Sequence, residues 1–134
     1  MSFTPSHPDA PNIYPSVTYH NAKAAIEFLE KAFAFERVAV YEDDNGRIAH
    51  AELHLGPGIV MMGEHKGDEP ITAQSIYIAI SDVDAHHDRA KAAGAEIIRE
   101  LHDTDYGSRD YAAKDQAGHT WHFGTYQPVA NAAS

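Results

Sequence analysis

Between Ile13 and Tyr126 the apolar positions follow two spacings that take turns along the chain. Alternation of apolar and polar residues marks strands, and apolar residues three or four apart mark helices. Ile13 to Tyr19 alternates as a strand, and Asn21 caps a helix whose Ala25, Phe28, Leu29, Ala32 and Phe33 make one stripe. Strands follow at Phe35 to Tyr41, Ile48 to Leu55 and Ile59 to Gly63, joined by the turns Asp43-Asp44-Asn45-Gly46 and Gly56-Pro57. Residues 64–74 are polar, contain Gly67 and Pro70, and read as a linker. The order then begins again. Ser75 to Ile80 is a strand, Asp82 caps a helix that Gly94 stops, and strands follow at Glu96 to Leu101 and Asp110 to Lys114, with a polar loop from Asp103 to Arg109 between them. The last strand lies in Asp115-Gln-Ala-Gly-His-Thr-Trp-His-Phe-Gly-Thr-Tyr126, after a tight turn at Gly118. Residues 1–12 read as a loose arm and 127–134 as a small-residue tail.

A shift of 61 positions superposes the two halves: Asn21 falls on Asp82, Ala34 on Ala95, His50 on Tyr111 and Met61 on His122. Each half reads strand-helix-strand-strand-strand. The expected fold class is therefore α+β, with two tandem βαβββ modules at about 13–66 and 75–126 forming mixed sheets within one domain, 1–134. Neither half buries both sides of a four-stranded sheet alone, so the halves are expected to pair.

The faces of these strands carry the candidate chemistry. Trp121 and Phe123 share one side of the last strand, which leaves Thr120 and His122 on the other. With Gly56-Pro57 as a two-residue turn, Leu55 opposes Gly58, His54 opposes Ile59, Leu53 opposes Val60 and Glu52 opposes Met61. One face then carries Leu53, Leu55, Val60 and Met62, and packs on the helix. The other carries His50, Glu52, His54 and Met61. A solvated face accounts for these polar residues, and so does a ligand cavity; the His-Glu-His alternation is also of metal-binding type. In Tyr106-Gly107-Ser108-Arg109, the tyrosine and arginine suit the rim of a pocket, the guanidinium offering a fork to a carboxylate; pairing with a nearby aspartate is the simpler use of Arg109. His86 and His87 are expected on an exposed helix surface, and Asp103 and Asp105 in water or in local pairs.

Composition narrows the partners. The chain has 134 residues with no cysteine, so disulfides and thiolate metal sites are excluded. Twenty acidic against ten basic residues give a net charge of -10, spread over both halves. That field repels nucleic acid and favours a small cation. No apolar run approaches a membrane span, and the N-terminus shows no basic region followed by an apolar segment. The expectation is a cytoplasmic protein with neither a nucleic-acid nor a membrane partner.

Four segments together resemble a known superfamily. They are Asn21-Ala-Lys-Ala-Ala-Ile-Glu-Phe-Leu-Glu-Lys-Ala-Phe33, Ser81-Asp-Val-Asp-Ala85, Ala92-Ala-Gly-Ala95 and Asp115-Gln-Ala-Gly-His-Thr-Trp121. Over Ile13 to Tyr126 the chain resembles the glyoxalase, bleomycin-resistance and extradiol-dioxygenase (vicinal oxygen chelate) superfamily, in its single-chain glyoxalase-like subgroup. The resemblance implies curved sheets around a ligand cleft, and a homodimer. It also places the metal ligands of the metal-dependent members at Tyr14, Met61, Ser75 and His122. Only His122 is a typical ligand there, Met61 and Ser75 are poor partners for a hard divalent ion, and the family's glutamate at the last position is absent.

The reading that follows is a small-molecule-binding protein that sequesters a drug or metabolite, with no cofactor. Its ligand would meet His122, Glu52, Arg109, His50, His54, Tyr14, Met61, Tyr106 and Tyr111, with Trp121 rather in the core. The alternative is a divalent-metal-dependent lyase, isomerase or dioxygenase using a non-standard site of His122 with His50, Glu52 or His54. A structural or interaction module with a vestigial cavity is the third class.

Overall fold

A computed structural model describes residues 5–130. Residues 1–4 of the expected arm and 131–134 of the expected tail lie outside the described residues. The chain divides into two compact units, one ending at Thr72 and one beginning at Ala73. Both have the same element order. In the first, β1 (Ser16–Tyr19), α1 (Ala22–Phe33), β2 (Glu36–Glu42), β3 (Ile48–Leu55) and β4 (Gly58–Glu64) give a sheet ordered β1-β4-β3-β2. In the second, β5 (Ser75–Ala79), α2 (Val83–Ala92), β6 (Glu96–Asp103), β7 (Arg109–Lys114) and β8 (Thr120–Gly124) give β5-β8-β7-β6. The first strand of each module runs parallel to the last, and the other pairs are antiparallel. The duplication reaches the register: Ser16 pairs with Met61 and Tyr77 with His122. The tandem βαβββ architecture is thus the observed one. Among the described residues no helix is long and apolar enough to cross a membrane.

Local chemistry sets the ends of the elements. The Asn21 side chain accepts from Ala24 N at 3.2 Å and the Asp82 side chain accepts from Ala85 N at 3.2 Å, so both helices start at their expected caps. Helix α1 buries Ala25, Ile26, Leu29, Ala32 and Phe33; Phe28 of the expected stripe is half-buried, its ring edge-on to Phe33 at 5.3 Å. The helix closes on Ala34, a left-handed residue with φ of 66°. The first strand starts at Ser16, later than the expected Ile13. Pro15 has no N–H to give, and only its carbonyl joins the sheet, accepting from Met61 N at 2.9 Å. Strand β6 runs on to Asp103, and the expected loop contracts to a tight turn in which Thr104 and Ser108 exchange hydrogen bonds of 2.8 and 2.9 Å. The Gly56-Pro57 turn has the expected register, Leu55 to Gly58 through Glu52 to Met61, with φ of 60° at Gly56.

The second helix departs from expectation in one respect. His87 is buried, because Val83, His87 and Ala90 lie four and three residues apart and form the stripe that faces the sheet. His86 packs over Phe123 with ring centroids 4.3 Å apart. Neither histidine occupies the exposed helix surface expected for it.

The turn into β8 is held by one carboxylate. Asp115 Oδ1 accepts from Ala117 N and His119 N, each at 3.0 Å, and Oδ2 accepts from the Trp121 indole at 3.0 Å. His119 is fully buried, and its Nδ1 accepts from Gln74 N at 3.0 Å, tying the turn to the approach to β5. Replacing Asp115 by alanine leaves three donors without this acceptor, each costing roughly 1–3 kcal/mol where buried. With two of the three donors buried, Asp115→Ala should lower unfolding free energy by at least about 2 kcal/mol, and Asp115→Asn by less. Urea titrations read by the single Trp121 indole measure both.

Candidate functional site

Each sheet has one face on its helix and one face free of it. In the first module Ala51, Leu53, Val60 and Met62 are buried, and alternation places His50, Glu52, His54 and Met61 on the opposite face, all half-buried. The structure brings His50 and Glu52 together, with Nε2 and Oε2 2.9 Å apart, and stacks Tyr41 on the His50 ring at a centroid distance of 6.2 Å. A carboxylate at that distance orients an imidazole, and the two can hold or pass a proton. His54 turns to other partners, Gly56 O at 3.1 Å and Glu36 at 3.6 Å. Tyr14 precedes β1, and its hydroxyl donates to the Pro11 carbonyl. Tyr41 is not among the sequence candidates; a register shift between Tyr41 and Glu42 brings it opposite His50.

In the second module His122 stands between buried Trp121 and Phe123 and points to the helix-free face, half-buried, flanked by Tyr77 on β5 and Ala112 on β7. Two expected companions lie on the other side of this sheet. Tyr111 is 1% exposed and packs on Phe123 at 5.3 Å, with its hydroxyl 2.6 Å from His86 Nδ1. Burial raises its phenol well above the usual range, so it stays neutral. Arg109 reaches α2, bonding Asp84 at 2.7 Å and Asp103 at 3.1 Å. These two bonds raise its pKa further. Arg109 therefore serves the local aspartates. Odd-numbered positions of β7 face the helix, which is why Arg109 and Tyr111 do not join His122. Tyr106 sits in the Thr104 to Ser108 turn, mostly exposed and edge-on to Tyr126 at 5.9 Å. Glu52 and His122 belong to different units.

The four family ligand positions do not suit a hard divalent ion. Met61 offers a thioether, Ser75 a neutral hydroxyl, and the Tyr14 hydroxyl is already donated to Pro11, so His122 alone is a typical donor. Among the described residues no group of three or more His, Asp or Glu side chains is arranged to hold a metal ion.

The profile of the Glyoxalase/Bleomycin resistance protein/Dioxygenase superfamily matches residues 14–123, and the chain belongs to that superfamily. An uncharacterized protein of Mycobacterium bovis is 30% identical over 133 residues, covering 89% of this chain and 84% of the relative. Among solved structures, TioX from Micromonospora sp. ML1 is 31% identical with a TM-score of 0.72, over 84% of this chain and 98% of that one. The fosfomycin resistance protein FosX of Listeria monocytogenes, solved with Mn(II) and sulfate, shares the fold at a TM-score of 0.62 and 16% identity, over 87% and 93% of the two chains.

Buried His87 supplies a pH test of the packing behind this face. Its Nε2 lies 2.8 Å from Glu100 and its Nδ1 3.0 Å from Asp88. The bond to His87 holds the Glu100 carboxyl below the usual carboxylate range. A depressed folded pKa contributes stability that is present above the unfolded value, about 4.3 for glutamate, and is lost as pH falls through the folded value. The stability difference between wild type and Glu100→Gln should therefore be full at neutral pH and shrink in acid. Urea unfolding at neutral pH and on the acid limb measures it.

Proposed function

We propose that the chain binds a small organic molecule on the helix-free faces of its sheets and sequesters it, as the metal-free, bleomycin-binding type of its superfamily does. The observation that carries this reading is the donor set Tyr14, Met61, Ser75 and His122 at the family's ligand positions, which leaves one good metal ligand among four. The same faces hold half-buried polar groups, among them His50, Glu52 and His122, beside the apolar Met61, of the kind that orient an organic ligand. A drug or a metabolite is the proposed cargo. A cleft enclosed by curved sheets, one domain spanning both modules, a homodimer and a cytoplasmic setting belong to the same proposal.

The alternative, a divalent-metal-dependent lyase, isomerase or dioxygenase, draws on the His50–Glu52 pair at 2.9 Å, which supplies a proton-transfer group. Metal analysis of protein purified without a histidine tag separates the two. A stoichiometric ion favours the enzyme; a metal-free protein with a saturable organic ligand favours binding.

Binding is tested by thermal-shift screening of a drug and metabolite panel, followed by calorimetry on His122→Ala. Affinity for the panel ligand should fall about tenfold or more, a loss of roughly 1.4 kcal/mol, while the melting temperature changes little. Unchanged affinity with a lower melting temperature returns His122 to a structural role. For assembly, light scattering at micromolar concentration should report twice the 14.7 kDa chain mass; a monomer at every concentration removes the dimer.

A further inference from the structure

On the helix-free face of the second module, a cavity of about 330 Å³ opens between the end of β6 and the turn that follows it. Its walls include Arg99, His102, Asp103, Asp105, Tyr106 and Asp110. The charges divide into those already matched and those left over. Asp103 is taken by Arg109 at 3.1 Å. Asp110 Oδ1 accepts from the buried Ser108 hydroxyl at 2.5 Å, and Oδ2 has no hydrogen-bond partner among the described residues. Arg99 and Asp105 likewise have no ion-pair partner among the described residues. One cavity thus contains an uncommitted guanidinium and two carboxylates with open acceptor positions, and these opposite charges do not pair with one another.

The sheet explains why they stay apart. Arg99 lies opposite Ala112, and Asp110 lies two residues from Ala112 along β7, on the same face. Strand spacing then separates their backbones by roughly 8 Å, with the Ala112 methyl beside Arg99 and His102, not Arg99, directly opposite Asp110. Gly124, opposite Asp110, fixes the carboxylate: a Cβ there would collide with Asp110 Oδ1 and lie 2.6 Å from the Tyr77 hydroxyl. The glycine lets Asp110 lie flat on the sheet, so that Ser108 engages one oxygen.

We propose that this cavity receives the zwitterionic end of an amino acid or an amino-acid-like small molecule. Its ammonium lies on Asp110 and Asp105, its carboxylate on the Arg99 fork, and its side chain against Tyr106. A plain cation would leave Arg99 unmatched, and a plain anion would meet two carboxylates. A ligand with both charges compensates both sides of the cavity, and each contact is a charge-assisted hydrogen bond. The exposed Tyr106 ring adds an apolar and cation-attracting wall. The inference deepens the small-molecule-binding reading and rests on it.

The test uses the ¹⁵N-labelled full chain and three probes of similar size: L-phenylalanine, phenethylamine, which lacks the carboxylate, and 3-phenylpropionate, which lacks the ammonium. Phenylalanine should shift the amides from Arg99 to Asp110 saturably and bind about tenfold or more tightly than either analogue. Asp110→Asn should weaken phenylalanine and phenethylamine but spare phenylpropionate. Arg99→Gln, an exposed change that leaves folding intact, should do the reverse. Gly124→Ala, which displaces the carboxylate, should follow Asp110→Asn. Phenethylamine binding as tightly as phenylalanine, with Arg99→Gln neutral or beneficial, overturns the proposal in favour of a plain cation site. No saturable shift with any probe also overturns it. If the drug and metabolite panel still yields a ligand sensitive to His122→Ala, the broader reading stands without this subsite; if the panel yields none, both fall.

Discussion

The second module depends on the Asp115 carboxylate inside the turn before β8. Three donors converge on it, two backbone amides of the turn and the Trp121 indole. A buried indole N–H needs an acceptor, and the turn amides need one too; a single carboxylate serves all three. This fixes Trp121 toward the helix side, and strand alternation then assigns every neighbour. Phe123 follows it into the core, while His122 and Gly124 face away. His119, held by Gln74, closes the other side of the same turn. The face proposed for binding is thus a consequence of where the core tryptophan is anchored.

The first module reaches the same arrangement by different chemistry. The equivalent of the Asp115 turn is the Gly56-Pro57 hairpin, whose register places Glu52 beside Met61. At the start of α1, Glu64 accepts from Ala22 N at 3.0 Å and from Arg47 at 2.5 Å, so a carboxylate at the end of β4 secures the helix terminus. The duplicated backbone therefore carries unlike surfaces. One presents a His–Glu pair with a stacked tyrosine, and the other a histidine between a tyrosine and a patch of small residues.

Most of the basic groups in this acidic chain are matched locally. Arg109 bridges Asp84 and Asp103, Arg37 holds Glu30 at 3.0 Å, and Lys23 meets Glu42 at 3.0 Å. Exposed pairs of this kind contribute little to stability, about 0–1 kcal/mol each. Their larger effect is to remove basic groups from the list of ligand contacts. Arg99 matters to the second module because it is a base left outside such pairing.

The element order, the duplication, the Gly56-Pro57 register and the opposition of His122 to Trp121 and Phe123 are legible in the chain. These follow from short-range rules: periods of two and of about 3.6, capping side chains and turn residues act within a few positions. The spacing that buries His87 with Val83 and Ala90 is of the same local kind. Long-range packing sets where Arg109 and Tyr111 go. Both were assigned to the pocket by residue type, yet their place was set by parity on β7 and by the aspartate and histidine that α2 brings over them. The pairing of His50 with Glu52 and the meeting of Arg99, Asp105 and Asp110 around one cavity likewise depend on side-chain direction and on bulges in β6. Those are set by strands and helices far apart in sequence, whose contacts no local pattern encodes.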